Sequence, residues 1–312
     1  MTAPDRFKGT RVLIAPSSFA EENREPRERL LEAGFEIIDN PFRRKLTKEE
    51  TTALLTQDIA GLVAGLETLD REVLSQSGLK VVSRCGAGMA NVDLEAAREL
   101  GIRVYNTPFG PTQAVAEMTV GCLLSLIRQI PQMDRALHGR KWDKRVGRQL
   151  KGMTVLIVGL GRIGSAVAKL LTPFEVTLLA SDPGLGESET SLPLVPLDEG
   201  LARADVVALH ASGQDRLLGK REFGILKPGA FVLNAARGEL LDEEALREAL
   251  DSGRVAGAWL DTFGREPYDG PLTGYDQVIL TPHVGSYTAE GRLQMELDAV
   301  ENLIRGLREA SK

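Results

Sequence analysis

Apolar residues recur along the chain in short runs, and amphipathic stretches of helical length separate these runs. In the first third, the predicted strands are residues 11–15, 35–38, 59–64, 79–83 and 103–105, and the predicted helices are 22–33, 48–55 and 94–100. Strands rich in Val, Ile and Leu that alternate with helices are typical of a parallel sheet covered on both faces. This pattern predicts a doubly wound, flavodoxin-like α/β domain over residues 1–106.

A second alternation follows a long predicted helix over residues 112–130, which is apolar on nearly all sides and is expected to be buried between domains or subunits. The predicted strands are 155–158, 176–180, 205–210, 230–234, 255–260 and 278–280, with helices at 165–171, 197–202, 220–226 and 242–250. We expect a second doubly wound parallel sheet. A terminal helix over 288–307 is expected to return to the first domain.

The first strand of this second domain leads into three glycines with the spacing Gly-x-Gly-x-x-Gly. Gly159 allows a tight turn, Gly161 lets the backbone approach a pyrophosphate, and Gly164 lets the helix pack closely on the strand. The amides at the helix start, where Arg162 and Ile163 lie, and the positive end of the helix dipole are suited to phosphates. The stretch predicts a Rossmann dinucleotide site.

The next strand ends at Asp182, 18 residues after Gly164, where a βαβ unit places the acid that binds the adenosine ribose. A carboxylate there would repel a 2′-phosphate, so the predicted cofactor is NAD rather than NADP. The alternative is an ordinary turn aspartate before Pro183. The glycine motif upstream favours the nucleotide role.

Composition restricts the class of protein. With 312 residues, 43% of them hydrophobic and 26% charged, the chain is typical of a globular protein with two cores. A net charge of −6 argues against a nucleic-acid partner, and no apolar stretch has the length of a membrane span. Because the N-terminus lacks a signal-peptide core and Cys85 and Cys122 have the surroundings of buried thiols, we expect a cytoplasmic protein. No metal site is predicted.

Functional side chains in parallel sheets lie at the carboxyl ends of strands. Of the three histidines, His138 lies in a polar arm with an expected surface role, and His210 ends a strand in either a structural or a ligand-shaping role. His283 follows the last strand. Because imidazole titrates near neutrality, His283 is the best candidate for the acid that protonates a carbonyl oxygen during hydride transfer.

Two further residues at strand ends support this hypothesis. Glu266 could reach His283, orient its ring and raise its pKa. Arg237 could bind a substrate carboxylate with both arms of its guanidinium. The alternatives are a surface glutamate before a proline and a surface arginine in a turn. Three such residues on neighbouring strand ends favour a catalytic set.

These residues belong to a series of motifs over residues 80–286. The others are Gly86-Ala-Gly-Met-Ala-Asn-Val-Asp93, Asn106-Thr-Pro, Val115-Ala-Glu117, Leu226-Lys-Pro-Gly229, Asn234-Ala-Ala-Arg-Gly238, Asp261 with Glu266-Pro267, and Thr281-Pro-His283. Together they resemble the D-isomer-specific 2-hydroxyacid dehydrogenases, in particular the phosphoglycerate dehydrogenase-like branch without a regulatory domain. The resemblance implies a NAD-dependent oxidoreductase that interconverts a 2-oxo acid and a D-2-hydroxy acid.

The resemblance implies that Arg237 anchors the substrate, that Glu266 partners the histidine and that His283 is the acid/base. The predicted cofactor contacts beyond the glycine motif and Asp182 are His210, Ala211, Ala235, Asp261 and Gly285, and the predicted substrate contacts in the first domain are Arg84 and the amides around Ala87 and Gly88. Residues 1–106 with 287–312 become the substrate domain, and 107–286 the NAD-binding domain. The resemblance also implies a homodimer through residues 112–150, although the basic segment 140–145 taken alone fits a solvated arm.

The sequence departs from the family pattern in three places. Ala90 replaces the usual Asp and is expected to loosen the loop at residues 87–88, and the segment after His210 is shorter than usual, so cofactor contacts there are expected to differ. Arg84 matches a phosphate-binding arginine of phosphoglycerate dehydrogenases, but residues 64–67 lack the second one. Phosphorylated and unphosphorylated substrates therefore both stay open, as does the direction of the reaction.

Two alternative functions remain. A non-catalytic NAD-sensing protein could use the same fold, but it would need none of Arg237, Glu266 and His283. A formate-type dehydrogenase of the same superfamily pairs its acid histidine with a glutamine, so Glu266 argues against it.

Overall fold

The computed structural model describes residues 7–213 and 215–310, and these divide into two compact units. Unit 1 contains the described residues up to Pro111 and from Ser286 onward, and unit 2 runs from Thr112 to Gly285. The boundaries predicted at 106/107 and 286/287 differ from these by five residues and by one residue. Residues 1–6, 214 and 311–312, which the predicted domains include, lie outside the described residues.

Unit 1 is built on a five-stranded parallel sheet with the flavodoxin-like order β2-β1-β3-β4-β5. The strands are β1 (Arg11–Ile14), β2 (Glu36–Asp39), β3 (Ile59–Ala64), β4 (Val81–Arg84) and β5 (Arg103–Asn106). They are connected by α1 (Glu25–Glu32), α2 (Lys48–Leu54), α3 (Arg71–Ser75) and α4 (Leu94–Glu99). The short helix α3 was not predicted, since five residues are too few to show a helical period; the Asp70 side chain caps it by accepting from the Val73 amide.

The two faces of this sheet have separate cores because neighbouring side chains along a strand point to opposite faces. On one face, Val12, Val63 and Val81 pack against Val300 and Leu303 of the C-terminal helix (Ala289–Ala310). On the other face, a core that includes Leu13, Leu62 and Val82 contacts residues of α3 and α4.

Unit 2 contains a six-stranded parallel sheet of β6 (Thr154–Val158), β7 (Thr177–Ser181), β8 (Val206–Leu209), β9 (Ala230–Asn234), β10 (Val255–Leu260) and β11 (Val278–Leu280). The strand order is β11-β10-β9-β8-β6-β7, and a single parallel bridge between Ala180 and Leu194 extends the sheet beyond β7. This is a Rossmann order in which the third strand is reduced to one bridge. Both units are doubly wound α/β folds, which confirms the predicted fold class.

The helices of unit 2 are α5 (Gly110–Ile127), whose first two residues belong to unit 1, α6 (Ile130–His138), α7 (Arg162–Leu171), α8 (Leu197–Arg203), α9 (Lys220–Ile225) and α10 (Glu243–Asp251). The single helix predicted over 112–130 is wrong at its end, because Gln129 adopts a left-handed conformation with φ of 52° and begins a new helix. His138, predicted in an arm, is the last residue of α6 and has an 83% exposed side chain.

Within the described ranges, no single helix is long and apolar enough to cross a membrane. The helices α5 and α6 meet the requirement of length and composition only as a pair, and they are bent by 67°.

Candidate active site

The glycine loop of unit 2 joins the buried strand β6 to helix α7. Gly159 has a φ of +89°, and a Cβ there would lie 2.4 Å from the backbone N and Cα of Ala211. A Cβ on Gly164 would lie 2.1 Å from the carbonyl oxygen of Gly159. The space beside Gly161 is open, with nothing within 4 Å of an added Cβ. The first and third glycines are therefore required by the chain itself, and the second leaves room for a ligand.

Asp182 lies directly after β7 and reaches back to this loop. Its Oδ2 accepts a hydrogen bond of 2.8 Å from the Leu160 amide, and its Oδ1 accepts one of 2.9 Å from the Gly184 amide. The Gly184 bond is an ordinary turn contact, whereas the Leu160 bond fixes the carboxylate beside the glycine loop. The half-buried carboxylate lies where a ribose would follow a pyrophosphate bound at the start of α7.

His210 follows β8, and its backbone amide donates to Val158 at 2.8 Å. Both ring nitrogens are buried and without a hydrogen-bond partner among residues 7–213 and 215–310. Burial lowers the pKa of the imidazole from 6.5 to about 4, so the ring is neutral at physiological pH. A structural role would require the ring to bond the nearby backbone, and no such bond is present among the described residues. Two unpaired nitrogens next to the glycine loop fit a polar ligand.

These features together fit a dinucleotide. The amides of Gly161, Arg162 and Ile163 at the start of α7 would hold the pyrophosphate, Asp182 would bind the adenosine ribose, and His210 would offer one donor and one acceptor.

Replacing Asp182 with serine should weaken the preference for NAD. The ribose hydroxyls lose a charged acceptor and a 2′-phosphate is no longer repelled, so we expect the ratio of kcat/KM for NADH over NADPH to fall by about 10- to 100-fold. Steady-state kinetics with both cofactors measures this ratio. Asp198→Ser, which removes an exposed carboxylate of unit 2, should leave the ratio unchanged. An unchanged ratio in Asp182→Ser would assign Asp182 to the turn alone.

The buried His210 should make stability fall in acid. The unfolded chain takes up a proton near pH 6.5 and the folded chain only near pH 4, so protonation favours unfolding as the pH falls through this window. The free energy of unfolding should be about 2 kcal/mol lower at pH 5 than at pH 7.5. Calorimetric unfolding of the cofactor-free protein at both pH values should show this loss in the wild type and in His138→Asn, and a smaller loss in His210→Asn. Equal losses in all three would contradict the assignment.

Arg237 is positioned by the turn after β9. The Asn234 side chain donates to the Arg237 carbonyl at 2.8 Å and accepts from the Ala236 amide at 3.1 Å, which fixes the turn. The guanidinium is half-buried and donates to the Ala236 carbonyl at 2.6 Å. A Cβ on Gly238 would lie 1.9 Å from the Phe263 carbonyl carbon, so the turns after β9 and β10 are in direct contact. Ala235, a predicted cofactor contact, is half-buried in the same turn.

Asp261, the first residue after β10, is buried and organises the turn after β11. It accepts from the Thr281 hydroxyl at 2.6 Å, from the Val284 amide at 2.9 Å and from the Gly285 amide at 2.7 Å. A Cβ on Gly285 would lie 2.9 Å from its Oδ2. The cofactor contacts expected at Asp261 and Gly285 stay predictions; what the structure shows is that the Asp261 carboxylate holds the segment that carries His283.

His283 and Glu266 form a close pair. The ring Nδ1 lies 3.0 and 3.1 Å from the two carboxylate oxygens, and Glu266 also accepts from the Phe263 amide at 3.2 Å. His283 has a φ of +55°, an unfavourable conformation for a non-glycine residue that is typical of functional sites. Since the Glu266 carboxylate accepts a hydrogen bond from the N–H at Nδ1, Nε2 is the ring atom that can exchange a proton with a substrate.

Arg237, Glu266 and His283 follow β9, β10 and β11, which are adjacent in the sheet. The structure thus brings the three predicted residues to one edge of unit 2, and the side chains of His283 and Glu266 remain 41% and 36% exposed. The sequence assigned no role to Thr281, which it included only as part of a motif, or to Trp259, whose indole donates to the Thr281 hydroxyl at 2.9 Å. Only the position of Thr281 two residues before His283 hinted at this support.

In unit 1, Arg84 ends β4 and its guanidinium lies across Gly86, where a Cβ would be 1.5 Å from Nη1 and φ is +141°. The loop that follows is held at its start by Thr107, whose hydroxyl accepts from the Gly86 amide at 2.7 Å, and by Asn106, which donates to the Ala87 carbonyl at 2.8 Å.

The far end of this loop is held by Asn91, whose side chain donates to the carbonyls of Gly65 and Glu67 at 3.2 and 2.7 Å. The loosening expected from Ala90 is thus opposed by bonds at both ends, between which Ala87 is exposed and Gly88 half-buried.

In the part of the chain that the structure describes, no group of three or more His, Cys, Asp or Glu side chains is arranged to hold a metal ion. The short segment after His210 contains Gln214, which lies outside the described residues.

Comparison with known proteins identifies the family. Residues 120–285 match the model of the D-isomer specific 2-hydroxyacid dehydrogenase NAD-binding domain, which confirms NAD as the predicted cofactor. The chain is 36% identical over 270 residues to D-3-phosphoglycerate dehydrogenase of Archaeoglobus fulgidus, a match that covers 83% of this chain and 51% of that protein. It is 37% identical over 278 residues to glyoxylate reductase of Thermofilum pendens, covering 84% of this chain and 82% of that protein.

Solved structures of similar fold cover nearly all of this chain. A protein from Thermus thermophilus has a TM-score of 0.88 at 35% identity, covering 96% of this chain and 97% of its own. A glyoxylate reductase from Paecilomyes thermophila has a TM-score of 0.85 at 28% identity, covering 97% and 95%. The chain spans about half the length of the phosphoglycerate dehydrogenases that it matches. With the family model matching residues 120–285 and a relative of similar length at 37% identity, this chain belongs to the D-isomer specific 2-hydroxyacid dehydrogenase family.

Proposed function

We propose that the protein is a NAD-dependent oxidoreductase that interconverts a 2-oxo acid and a D-2-hydroxy acid. The observation that carries this proposal is the pair of His283 and Glu266, with Nδ1 3.0 Å from the carboxylate, at the sheet edge that also carries Arg237 and the glycine loop. Relatives named phosphoglycerate dehydrogenase and glyoxylate reductase support an acid of this class.

The residues of unit 2 have separate tasks in this reaction. When bound, the reduced cofactor would donate a hydride to the substrate and the oxidised cofactor would accept one from it. Arg237 binds the substrate carboxylate through its planar fork, which orients C2 and its oxygen. His283 delivers the proton of Nε2 to the oxygen at C2 during reduction and removes it during oxidation, and Glu266 stabilises the imidazolium and fixes the ring. In unit 1, Arg84 and the amides of Ala87 and Gly88 are the substrate contacts that we propose.

Asp261 supports this chemistry by fixing the turn that carries His283. Its three hydrogen bonds fix Thr281, Val284 and Gly285, so the turn cannot relax and His283 keeps its left-handed conformation. A rigid support of this kind holds a catalytic group in its productive orientation.

The decisive experiment is NADH oxidation by the purified full chain with a panel of 2-oxo acids. We expect turnover with at least one of hydroxypyruvate, glyoxylate, pyruvate, phosphohydroxypyruvate and 2-oxoglutarate. NADH binding without turnover across the panel would overturn the proposal in favour of the NAD-sensing alternative. The structure favours the enzyme, because a sensor has no use for a histidine held against a carboxylate in a strained turn.

We further propose a homodimer through residues 112–150. Four large apolar side chains in this segment are exposed: Ile130, Leu137, Trp142 at 79% and Val146 at 92%. Such a concentration is unusual for a monomer and fits a surface that a second copy covers.

The dimer gives a prediction about mass. Light scattering should give twice the chain mass of 33.8 kDa, and Val146→Asp should shift the population toward the monomer. Leu94→Asp, a substitution at a 51% exposed leucine of unit 1, should leave the mass at that of the dimer. A monomeric wild type would contradict the dimer without touching the proposed reaction. The cytoplasmic location stays a prediction.

A further inference from the structure

Unit 1 has an acid, Glu67, in the segment 64–67, where the family resemblance would place a second phosphate-binding arginine. Glu67 is three residues beyond the end of β3 and only 1% exposed. Both of its carboxylate oxygens accept from the Gly65 amide, at 2.9 and 3.1 Å. A Cβ on Gly65 would lie 3.0 Å from Oε2 and 3.5 Å from the Cα of Pro16, which follows β1. The side chain is therefore folded back over the carboxyl ends of the strands.

This acid lies beside Arg84. The end of β3 pairs with the end of β4, with Ala64 opposite Arg84 in the register. Burial raises the pKa of the Glu67 carboxyl, while the positive charges of Arg84 and Lys45 act in the opposite direction. When it is ionised, Glu67 therefore offsets part of the charge of Arg84, an arginine of the same unit.

A nearby ion pair, Arg292 with Glu296, is nearly buried and adds no net charge to this region. Arg292 of the C-terminal helix bonds Glu296 at 2.6 Å and the Ser18 hydroxyl at 2.9 Å, and both charged side chains are nearly buried. The pKa of the Cys85 thiol, next to Arg84, is raised to about 12, chiefly by burial, and the charges of Arg292, Glu296, Arg84 and Asp298 all act on it. Three cationic side chains, Arg84, Arg292 and Lys45, therefore share this neighbourhood with three carboxyl groups, those of Glu67, Glu296 and Asp298.

A phosphate ester is a poor match for this set. A phosphoryl group carries about −1.5 to −2 charges at neutral pH and binds where cationic donors exceed acids. An ionised Glu67 would repel it, and a protonated Glu67 would offer one O–H where an arginine would offer several N–H donors. A 2-oxo acid with a hydrogen or a hydroxyl at C3 is not repelled by an ionised Glu67, and it does not need the several N–H donors that a phosphate needs.

We propose that Glu67 is a specificity-determining residue that makes the protein select 2-oxo acids with an uncharged C3 substituent and reject their phosphate esters. The proposal rests on the proposed function, since it assigns the substrate class of the same site. It resolves the choice between phosphorylated and unphosphorylated acids that Arg84 alone leaves open.

The test compares hydroxypyruvate with phosphohydroxypyruvate, which differ only in the phosphoryl group, in NADH oxidation by the full chain. In the wild type, kcat/KM should favour hydroxypyruvate by about 100-fold or more. In Glu67→Gln this ratio should fall by about tenfold or more, with kcat/KM for hydroxypyruvate within about threefold of the wild type. Glu72→Gln, which changes a 64% exposed glutamate of the same unit, should keep the wild-type ratio.

The outcomes separate this inference from the proposed function. Equal use of both substrates by the wild type would overturn the specificity proposal and leave the oxidoreductase intact. A wild-type ratio that persists in Glu67→Gln would assign the selectivity to other residues and so also overturn it. If Glu67→Gln does not fold, Glu67→Thr repeats the comparison without the charge. Absence of turnover with every 2-oxo acid would instead remove the proposed function.

Discussion

His283→Ala is expected to lower kcat by about 100- to 10,000-fold, the range that positioned general acids contribute. The substitution removes the ring whose Nδ1 lies 3.0 Å from Glu266 and with it the only proton that this pair can offer to the substrate oxygen. Cofactor binding should change little, since the glycine loop and Asp182 lie at other strand ends. Steady-state turnover with the best 2-oxo acid gives kcat, and quenching of protein fluorescence by NADH gives the dissociation constant.

The matched control is His138→Ala. His138 ends α6 with an 83% exposed side chain and an exposed acidic neighbour, Asp134, at 3.5 Å, so its loss should leave both constants unchanged. Near wild-type turnover in His283→Ala would show that another group supplies the proton. A parallel loss of NADH binding would instead mean that the turn fixed by Asp261 had collapsed, and Thr281→Val, which weakens that turn but keeps the imidazole, would then distinguish the two effects.

Local patterns were enough to predict the strands, because most β-strands of unit 2 are largely buried apolar runs bounded by turn formers. The predictions for 230–234, 255–260 and 278–280 coincide with β9, β10 and β11. The break after α5 could not be predicted in the same way. Gln129 has no intrinsic preference for its left-handed conformation, and the apolar period simply continues to Ile130.

The site shows the same division between what spacing determines and what side-chain contacts determine. Residues after adjacent strand ends must meet at one edge of a sheet, so the grouping of Arg237, Glu266 and His283 follows from the order of strands. The direction of a side chain does not follow from it. Asp261 turns its carboxylate to Thr281, Val284 and Gly285, and Glu67 turns back over Gly65. Both conformations depend on residues distant in the sequence or on a backbone turn that spacing does not specify.

Arg237→Met is expected to lower kcat/KM for a 2-oxo acid by about 30- to 4,000-fold, which corresponds to the 2 to 5 kcal/mol typical of losing one partner of a buried charge pair. The guanidinium is half-buried, and its bond of 2.6 Å to the Ala236 carbonyl fixes the direction of its fork. Arg237→Lys should recover only part of the loss, because an ammonium is a point charge that cannot bind both carboxylate oxygens in one plane. Arg265→Met, which removes an exposed arginine from the next turn, should retain wild-type kinetics.

A substrate without the charge separates binding of the carboxylate from general damage to the site. Wild-type protein should prefer pyruvate to methyl pyruvate, and Arg237→Met should lose most of that preference, because the two changes remove the same interaction and their effects are then not additive. If Arg237→Met lowered kcat/KM equally for the acid and for its ester, the carboxylate would be bound elsewhere. The amides around Ala87 and Gly88, which Asn106 and Thr107 hold in place, would then be the principal anchor. Arg237 would in that case act on the carbonyl oxygen, which acid and ester share, and not on the carboxylate.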